Sequence, residues 1–136
     1  MADERAFKLK IIAPDRTFYE GDVIMVELRT TEGEIGVLKG HIPLTSVLAP
    51  GVIRIKESDQ EYKFAALMGG FIEVLKDSVT VMAETVEWPD EIDLNRAEEA
   101  RIRAERRLQE KASGTNIKRA ELALQRAVAR IEAAGR

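Results

Sequence analysis

The sequence predicts an α+β fold in which a β-sandwich precedes a helical hairpin, and two observations support this prediction. From the N-terminus to Trp88, short apolar segments alternate with turns that contain glycine or proline. After Pro89 there is no further proline, and Ala, Glu, Arg, Leu and Gln dominate, which is the composition of helices. We therefore expect two domains, residues 1–88 and residues 89–136.

The N-terminal part contains about eight to ten short strands, a pattern typical of a β-sandwich or flattened barrel and not of a parallel sheet. Alternation of apolar and polar residues predicts the first strand at residues 7–12. A second strand is expected at residues 16–20, followed by a turn at Gly21 and Asp22. Within residues 23–29, the strand face without a charged residue should point into the core, and its members are Ile24, Val26 and Leu28.

Residues 31–44 form the most unusual part of this domain because Gly33, Gly36 and Gly40 interrupt a strand-like run. Glycines inside strands indicate bulges or close approach of another backbone. His41 in this segment is the only histidine of the chain, and no nucleophile motif accompanies it. We therefore expect His41 in a turn or an interface and not in a catalytic site.

The C-terminal part predicts an αα-hairpin with helices at residues 93–111 and 117–133, separated by a break at residues 112–116. Asp90 or Asp93 is expected to cap the first helix, Gly114 to end it, and Thr115 or Asn116 to cap the second. The apolar stripes are mostly alanine and bury little area at roughly 25 cal/mol per Å². They are Ala97, Ala100, Ala104 and Leu108 on the first helix, and Ile117, Ala120, Leu124, Ala127 and Ile131 on the second. The hairpin should therefore be marginal alone and able to exchange packing partners.

Four arginines suggest a binding site within the hairpin. Arg96 and Arg103 point the same way from the first helix, and Arg126 and Arg130 share a face of the second. In a closed hairpin these guanidinium groups could converge on one anion. The alternative is a solvated face with salt bridges, for instance between Arg96 and Glu99.

Composition excludes several function classes. The net charge of -3 divides into 10 basic and 15 acidic side chains in residues 1–89 and 11 basic and 9 acidic afterwards. With seven aromatic residues in all, this small basic excess does not suggest nucleic-acid binding. Without cysteine, a phosphate loop, a nucleophile motif or a second histidine, neither an enzyme nor a metal site is expected. No apolar run approaches the roughly 20 residues needed to cross a bilayer, and no signal peptide is evident.

Four stretches in this order resemble the epsilon-subunit family of F-type ATP synthases: residues 32–44 (EGEIGVLKGHIPL), 69–74 (GGFIEV), 79–84 (VTVMAE) and 92–97 (IDLNRA). The resemblance covers nearly the whole chain and is closest to the bacillus-like bacterial branch. It implies a ten-stranded β-sandwich and a mobile C-terminal hairpin. The fold that it implies agrees with the one predicted from the residues.

For function, the resemblance implies a non-catalytic subunit of the central stalk, peripheral to the bacterial cell membrane on its cytoplasmic side. The sandwich would clasp the gamma subunit and rest on the c-ring, with Glu34 and His41 in the segment that meets the ring. Glu34 could instead be a turn carboxylate in water. The hairpin would extend toward the alpha and beta subunits and block ATP hydrolysis.

The same branch binds ATP through the motif I/L-D-x-x-R-A, which is complete here. The resemblance implies an ATP site formed by Glu87, Ile92, Asp93, Arg96, Ala97, Arg103, Arg126 and Arg130. ATP would be a regulatory ligand that favours the folded hairpin, and no metal is required. Two alternatives stay open, a purely structural stalk clasp and a free-standing ATP sensor.

Overall fold

The computed structural model describes residues 3–110 and 116–136, in which the chain forms ten strands, one 3-10 turn and two helices. In chain order these elements are β1 (Phe7–Ala13), β2 (Arg16–Val23), β3 (Met25–Thr30), β4 (Gly33–Val37), β5 (Leu44–Leu48), β6 (Gly51–Lys56), β7 (Tyr62–Leu67), β8 (Gly70–Val74), β9 (Ser78–Ala83), β10 (Val86–Glu87), the 3-10 turn (Pro89–Glu91), α1 (Leu94–Glu110) and α2 (Ile117–Ala134).

The strands join into one sheet that closes over its own apolar face as a sandwich. Their order is β10-β7-β6-β3-β5-β8-β9-β1-β2, and β4 pairs with β3 outside this path. The neighbours in this order are antiparallel, except that β1 and β9 run parallel. The predicted ten-stranded β-sandwich with a C-terminal helical hairpin is therefore confirmed.

The core follows the alternation in the sequence. In β1, Phe7, Leu9 and Ile11 are buried while the intervening lysines are exposed. The predicted core face of Ile24, Val26 and Leu28 is also buried, as expected. Burial of one face of each strand supplies the main stabilisation of the sandwich.

The predicted turn at Gly21 and Asp22 is wrong. Strand β2 continues through both residues, which pair with Leu9 and Lys8 of β1, and it ends at Val23. Continuous pairing along β1 provides backbone hydrogen bonds that outweigh the turn preference of a Gly-Asp pair. The chain bends only at Ile24, whose N–H donates to the carbonyl oxygen of Lys56 at 2.8 Å.

Both helices begin at side-chain caps that the sequence suggested. Asp93 Oδ1 accepts a hydrogen bond from the N–H of Arg96 at 3.1 Å, and Asn116 Oδ1 accepts one from the N–H of Arg119 at 3.0 Å. Each cap satisfies one of the free N–H groups of the first helical turn. The predicted end of the first helix near residue 111, the cap Gly114 and the alternative cap Thr115 lie outside the described residues.

Helix α2 docks on the sandwich through two alanines. Ala129 and Ala133 pack against Ala66 and Met68 at the end of β7, with Val52 and Ile92 at the border of this docking cluster. The sequence analysis identified only the other stripe of α2, whose members Ala120 and Ala127 are also buried and lie about half a turn around the helix. Helix α2 is thus buried on two sides by small residues.

The segment between the domains is held on β2. Trp88 stacks on Phe18 with ring centroids 4.1 Å apart, and the Arg16 guanidinium lies 5.0 Å from the centroid of the Phe18 ring. Arg16 Nη2 also donates to Glu91 Oε1 at 2.8 Å. These contacts fix the chain from Trp88 to Glu91 on the sandwich, immediately before α1 begins.

Candidate functional site

A polar cavity of about 380 Å³ lies where β10 and the 3-10 turn meet α1 and α2. Its lining consists of charged side chains and two small residues: Glu87, Glu91, Asp93, Arg96, Ala97, Ala100, Arg103 and Arg130. Six of the eight residues in the predicted ATP site are therefore brought together. The other two, Ile92 and Arg126, are not among the lining residues.

Helix α1 supplies one wall of the cavity. Arg96, Ala100 and Arg103 are spaced by four and three residues, so they lie on one face of this helix. Ala97 is buried and Asp93 caps the helix. The N-terminal end of a helix favours negative charge, which adds to the effect of the arginines.

The guanidinium groups of Arg96 and Arg103 are exposed. Among the described residues, no carboxylate oxygen lies within 4.0 Å of either group. The salt bridge between Arg96 and Glu99 that the sequence allowed is therefore not formed. Two positive charges remain available to an anion in the cavity.

Helix α2 contributes Arg130, which is already engaged. Its Nε donates to Glu87 Oε1 at 2.6 Å, and both side chains are partly buried. This ion pair joins α2 to β10 across 43 positions of sequence. A charge-assisted hydrogen bond of this kind helps hold the hairpin on the sandwich.

The two predicted residues outside the cavity have other contacts. Ile92 packs against the docking cluster of Ala66, Met68, Ala129 and Ala133. Arg126 lies one helical turn before Arg130, and its Nη2 is 3.9 Å from Glu84 Oε2. The Arg126 Nε is buried and has no hydrogen-bond partner among the described residues.

Glu91 and Ala100 line the cavity although the sequence analysis did not select them. Glu91 Oε1 accepts hydrogen bonds from Arg16 Nη2 at 2.8 Å and from the N–H of Trp88 at 2.9 Å. The second bond returns to the residue three positions earlier, which is half of a capping box. A glutamate three residues after the start of a short turn was the local signal that could have identified it.

The ion pair of Glu91 with Arg16 should make the contact between the 3-10 turn and β2 sensitive to acid. Hydrogen bonds from Arg16 and then from the Trp88 N–H lower the pKa of the Glu91 carboxyl below its ordinary value of 4.5. Because the pKa is lower in the folded state, this stabilisation is fully present above pH 4.5 and is lost as the pH falls through the lowered value. We expect the difference in unfolding free energy between the native chain and Glu91→Gln to shrink on acidification below pH 4.5, measured by urea titration. A difference that stays constant with pH would contradict this assignment.

Glu34 and His41 lie away from the arginine-lined cavity. Glu34 is exposed on β4 opposite Arg29, and it borders a small cleft with Glu132 and Arg136 at the end of α2. The His41 Nδ1 is 2.6 Å from the carbonyl oxygen of Ile42, to which it donates as the Nδ1–H tautomer. The neighbouring Ile42 side chain is 78% exposed.

An apolar row crosses the half of the sheet that the hairpin leaves uncovered. The strand register aligns Val47, Phe71, Met82 and Ile12 on β5, β8, β9 and β1. Val47, Phe71 and Met82 are all exposed. In the described ranges, no group of histidine, cysteine and carboxylate side chains could hold a metal ion, and neither helix could span a membrane.

These features define a β-sandwich protein with a docked helical hairpin and an arginine-lined cavity between them. Two family models match the chain: "ATP synthase, Delta/Epsilon chain, beta-sandwich domain" over residues 6–89 and "ATP synthase, Delta/Epsilon chain, long alpha-helix domain" over residues 90–135. The chain belongs to the ATP synthase delta/epsilon chain family.

Similar proteins agree with this membership. An ATP synthase epsilon chain of Caldanaerobacter subterraneus is 45% identical over 98% of this chain and 96% of its own length. That of Halalkalibacterium halodurans is 46% identical over 94% of this chain and 96% of its own length. The predicted identity as an epsilon subunit of the F-type ATP synthase, a non-catalytic subunit, is confirmed.

Solved structures support the fold. A chain in the Euglena gracilis mitochondrial ATP synthase, a structure that contains OSCP, F1 and the c-ring, superposes with a TM-score of 0.83 at 25% identity. The match covers 100% of this chain and 85% of the other. A chain of the Tetrahymena thermophila mitochondrial ATP synthase shares the fold with a TM-score of 0.55 at 12% identity. The match covers 94% of this chain and 92% of the other.

Proposed function

We propose that this chain is an ATP-responsive latch on the central stalk of ATP synthase. ATP in the arginine-lined cavity holds the hairpin on the sandwich, and loss of ATP allows the hairpin to extend toward the alpha and beta subunits and inhibit ATP hydrolysis. The observation that carries the proposal is the cavity itself. It contains six of the eight residues of the predicted ATP site, and two of these, Arg96 and Arg103, have no carboxylate partner among the described residues.

The cavity has the charge distribution that a nucleoside triphosphate requires. We assign Glu87, Asp93 and Ala97 to the adenine, and Glu87 leaves its ion pair with Arg130 when ATP binds. Arg96, Arg103 and Arg130 neutralise the phosphates. Ile92 supports the adenine end from the docking cluster, and Arg126 leaves its long contact with Glu84 to join the phosphates.

Linkage explains how the ligand controls the hairpin. The lining comes from β10, the 3-10 turn and both helices, so ATP binds only the docked form. A ligand at a hundredfold excess over its Kd adds about 2.7 kcal/mol to that form. Since alanines bury little area in the docking cluster, this amount is large enough to decide between the two states.

The sandwich supplies the contacts with the rest of the enzyme. The exposed row of Val47, Phe71 and Met82 is an apolar surface for the gamma subunit. The segment with Glu34, His41 and the exposed Ile42 meets the c-ring. The Euglena structure, which contains the c-ring, supports this position. The chain is thus peripheral to the membrane, on the cytoplasmic side in a bacterium.

A purely structural clasp is the alternative, and the ion pair between Arg130 and Glu87 favours it because this contact itself joins α2 to the sandwich. Isothermal titration of ATP into the isolated chain separates the two functions. We expect saturable binding that Arg103→Ala and Arg130→Ala each weaken about tenfold or more, the effect of losing a charge-assisted hydrogen bond. Arg107→Ala, an exposed arginine of α1 outside the cavity, is the matched control and should bind normally. Absence of heat up to millimolar ATP would rule out the latch and leave the clasp.

A further inference from the structure

Among the charged residues that line the cavity, Glu91 is the one that the predicted ATP site does not include. Both donors that reach it, Arg16 Nη2 and the N–H of Trp88, bind the same oxygen, Oε1. Its Oε2 has no hydrogen-bond partner among the described residues. Glu91 therefore presents one free carboxylate oxygen at a cavity whose other acidic residues are already assigned.

This carboxylate is held in place before any ligand arrives. Arg16 belongs to β2 of the sandwich, and Trp88 stacks on Phe18 of the same strand. Two hydrogen bonds to one oxygen fix the side-chain rotamer and leave the other oxygen as a pure acceptor. A fixed acceptor selects ligands by the position of their donors.

The chemistry of a nucleotide limits what this acceptor can bind. Phosphates are acceptors and anions, so a carboxylate repels them. The base contacts are assigned to Glu87, Ile92, Asp93 and Ala97. The remaining donors are the hydroxyl groups of the sugar, which joins the base to the phosphates. Carboxylates on rigid elements bind ribose hydroxyls in dinucleotide-binding folds in the same way.

We propose that Glu91 is a specificity-determining residue that accepts a hydrogen bond from a ribose hydroxyl through Oε2. The site then prefers ribonucleotides to deoxyribonucleotides, and Arg16 is the positioning residue that holds the acceptor. This inference rests on the proposed function, that the cavity binds ATP. It also means that the sugar is recognised by a group fixed to the sandwich while the phosphates are bound from the helices.

The test compares the dissociation constants of ATP, 2′-deoxyATP and 3′-deoxyATP for the full chain by isothermal titration. We expect ATP to bind about tenfold more tightly than at least one deoxynucleotide, the effect of one hydrogen bond to a charged group. In Glu91→Ala the ratio of the dissociation constants of the deoxynucleotide and ATP should fall to about one. Glu99→Ala, which removes an exposed carboxylate of α1 outside the cavity, should keep the ratio. Because the readout is a ratio, general effects of charge on phosphate affinity cancel.

Two further measurements distinguish recognition of the sugar from other effects of Glu91. Arg16→Ala keeps the Glu91 carboxylate but removes the hydrogen bond that fixes its position, so the preference for ATP over the deoxynucleotide should fall only in part. Trp88 fluorescence shows whether the 3-10 turn stays packed on β2. Inosine triphosphate lacks the 6-amino group of adenine. If Glu91→Ala removes discrimination between ATP and inosine triphosphate and leaves the sugar ratio unchanged, the sugar assignment is overturned. Equal binding of ATP and both deoxynucleotides to the native chain also overturns it, whereas no ATP binding at all overturns the proposed function and this inference with it.

Discussion

Replacing Ala133 with glutamate should release the hairpin from the sandwich while the strands stay folded. Ala133 is fully buried in the docking cluster with Ala66, Met68 and Ala129. An unpaired carboxylate buried there costs about 3 to 5 kcal/mol, more than two alanines contribute by docking. We expect the amides of α1 and α2 to lose protection in hydrogen-exchange measurements, and ATP affinity to fall below detection.

The matched control for this variant is Gln125→Glu, which adds the same charge at an exposed position of α2. It should keep the protection of the helix amides. If Ala133→Glu also retains native protection in both helices, the docking cluster is not what holds the hairpin.

Gly70→Ala should destabilise the sandwich by about 3 kcal/mol or more. Gly70 has a φ of 123°, and a Cβ there would lie 2.0 Å from the carbonyl oxygen of Met82 on β9. The positive φ alone costs a non-glycine residue about 1 to 3 kcal/mol. The contact adds to this cost because only a shift of the paired backbones of β8 and β9 can relieve it.

Gly33→Ala separates the two contributions. Gly33 has a similar φ of 130°, but a Cβ there meets no atom within 4 Å. We expect this variant to lose only the conformational part. Guanidinium chloride unfolding followed by the fluorescence of Trp88, the single tryptophan, measures both variants. Equal losses would show that the contact with Met82 is relieved without cost.

Local patterns in the sequence predicted most of the fold. The alternation of apolar and polar residues predicted the core face of Val26 and Leu28, and the residue types at Asp93 and Asn116 predicted the helix caps. Both features depend only on neighbours within four positions of the sequence. The turn at Gly21 failed because pairing with Leu9 of β1 decides that segment. The alanine stripe that docks α2 was missed because alanine is equally suited to a solvent-facing helix surface.

Helical spacing predicted that the arginines of the candidate site could converge, and the resemblance predicted its other members. The structure places six of the eight residues around the cavity and two outside it. The pair of Arg130 and Glu87 joins residues 43 positions apart, which no spacing rule reveals. Ile92 and Arg126 belong to the predicted ATP site, yet their side chains contact the docking cluster and Glu84. The contact of Glu91 with Arg16 of β2 joins residues 75 positions apart, so local spacing does not predict it.

The docked hairpin also keeps the isolated chain dispersed in water. Helix α2 covers Ala66 and Met68, and the Arg136 guanidinium lies 5.2 Å from the centroid of the Phe64 ring on the same face of β7. When the helices leave, this apolar strip meets solvent unless another surface replaces them. Outside its complex, the extended form should therefore self-associate as its concentration rises. Aggregation is then expected of one conformational state, and a ligand that holds the hairpin closed would also keep the chain in solution.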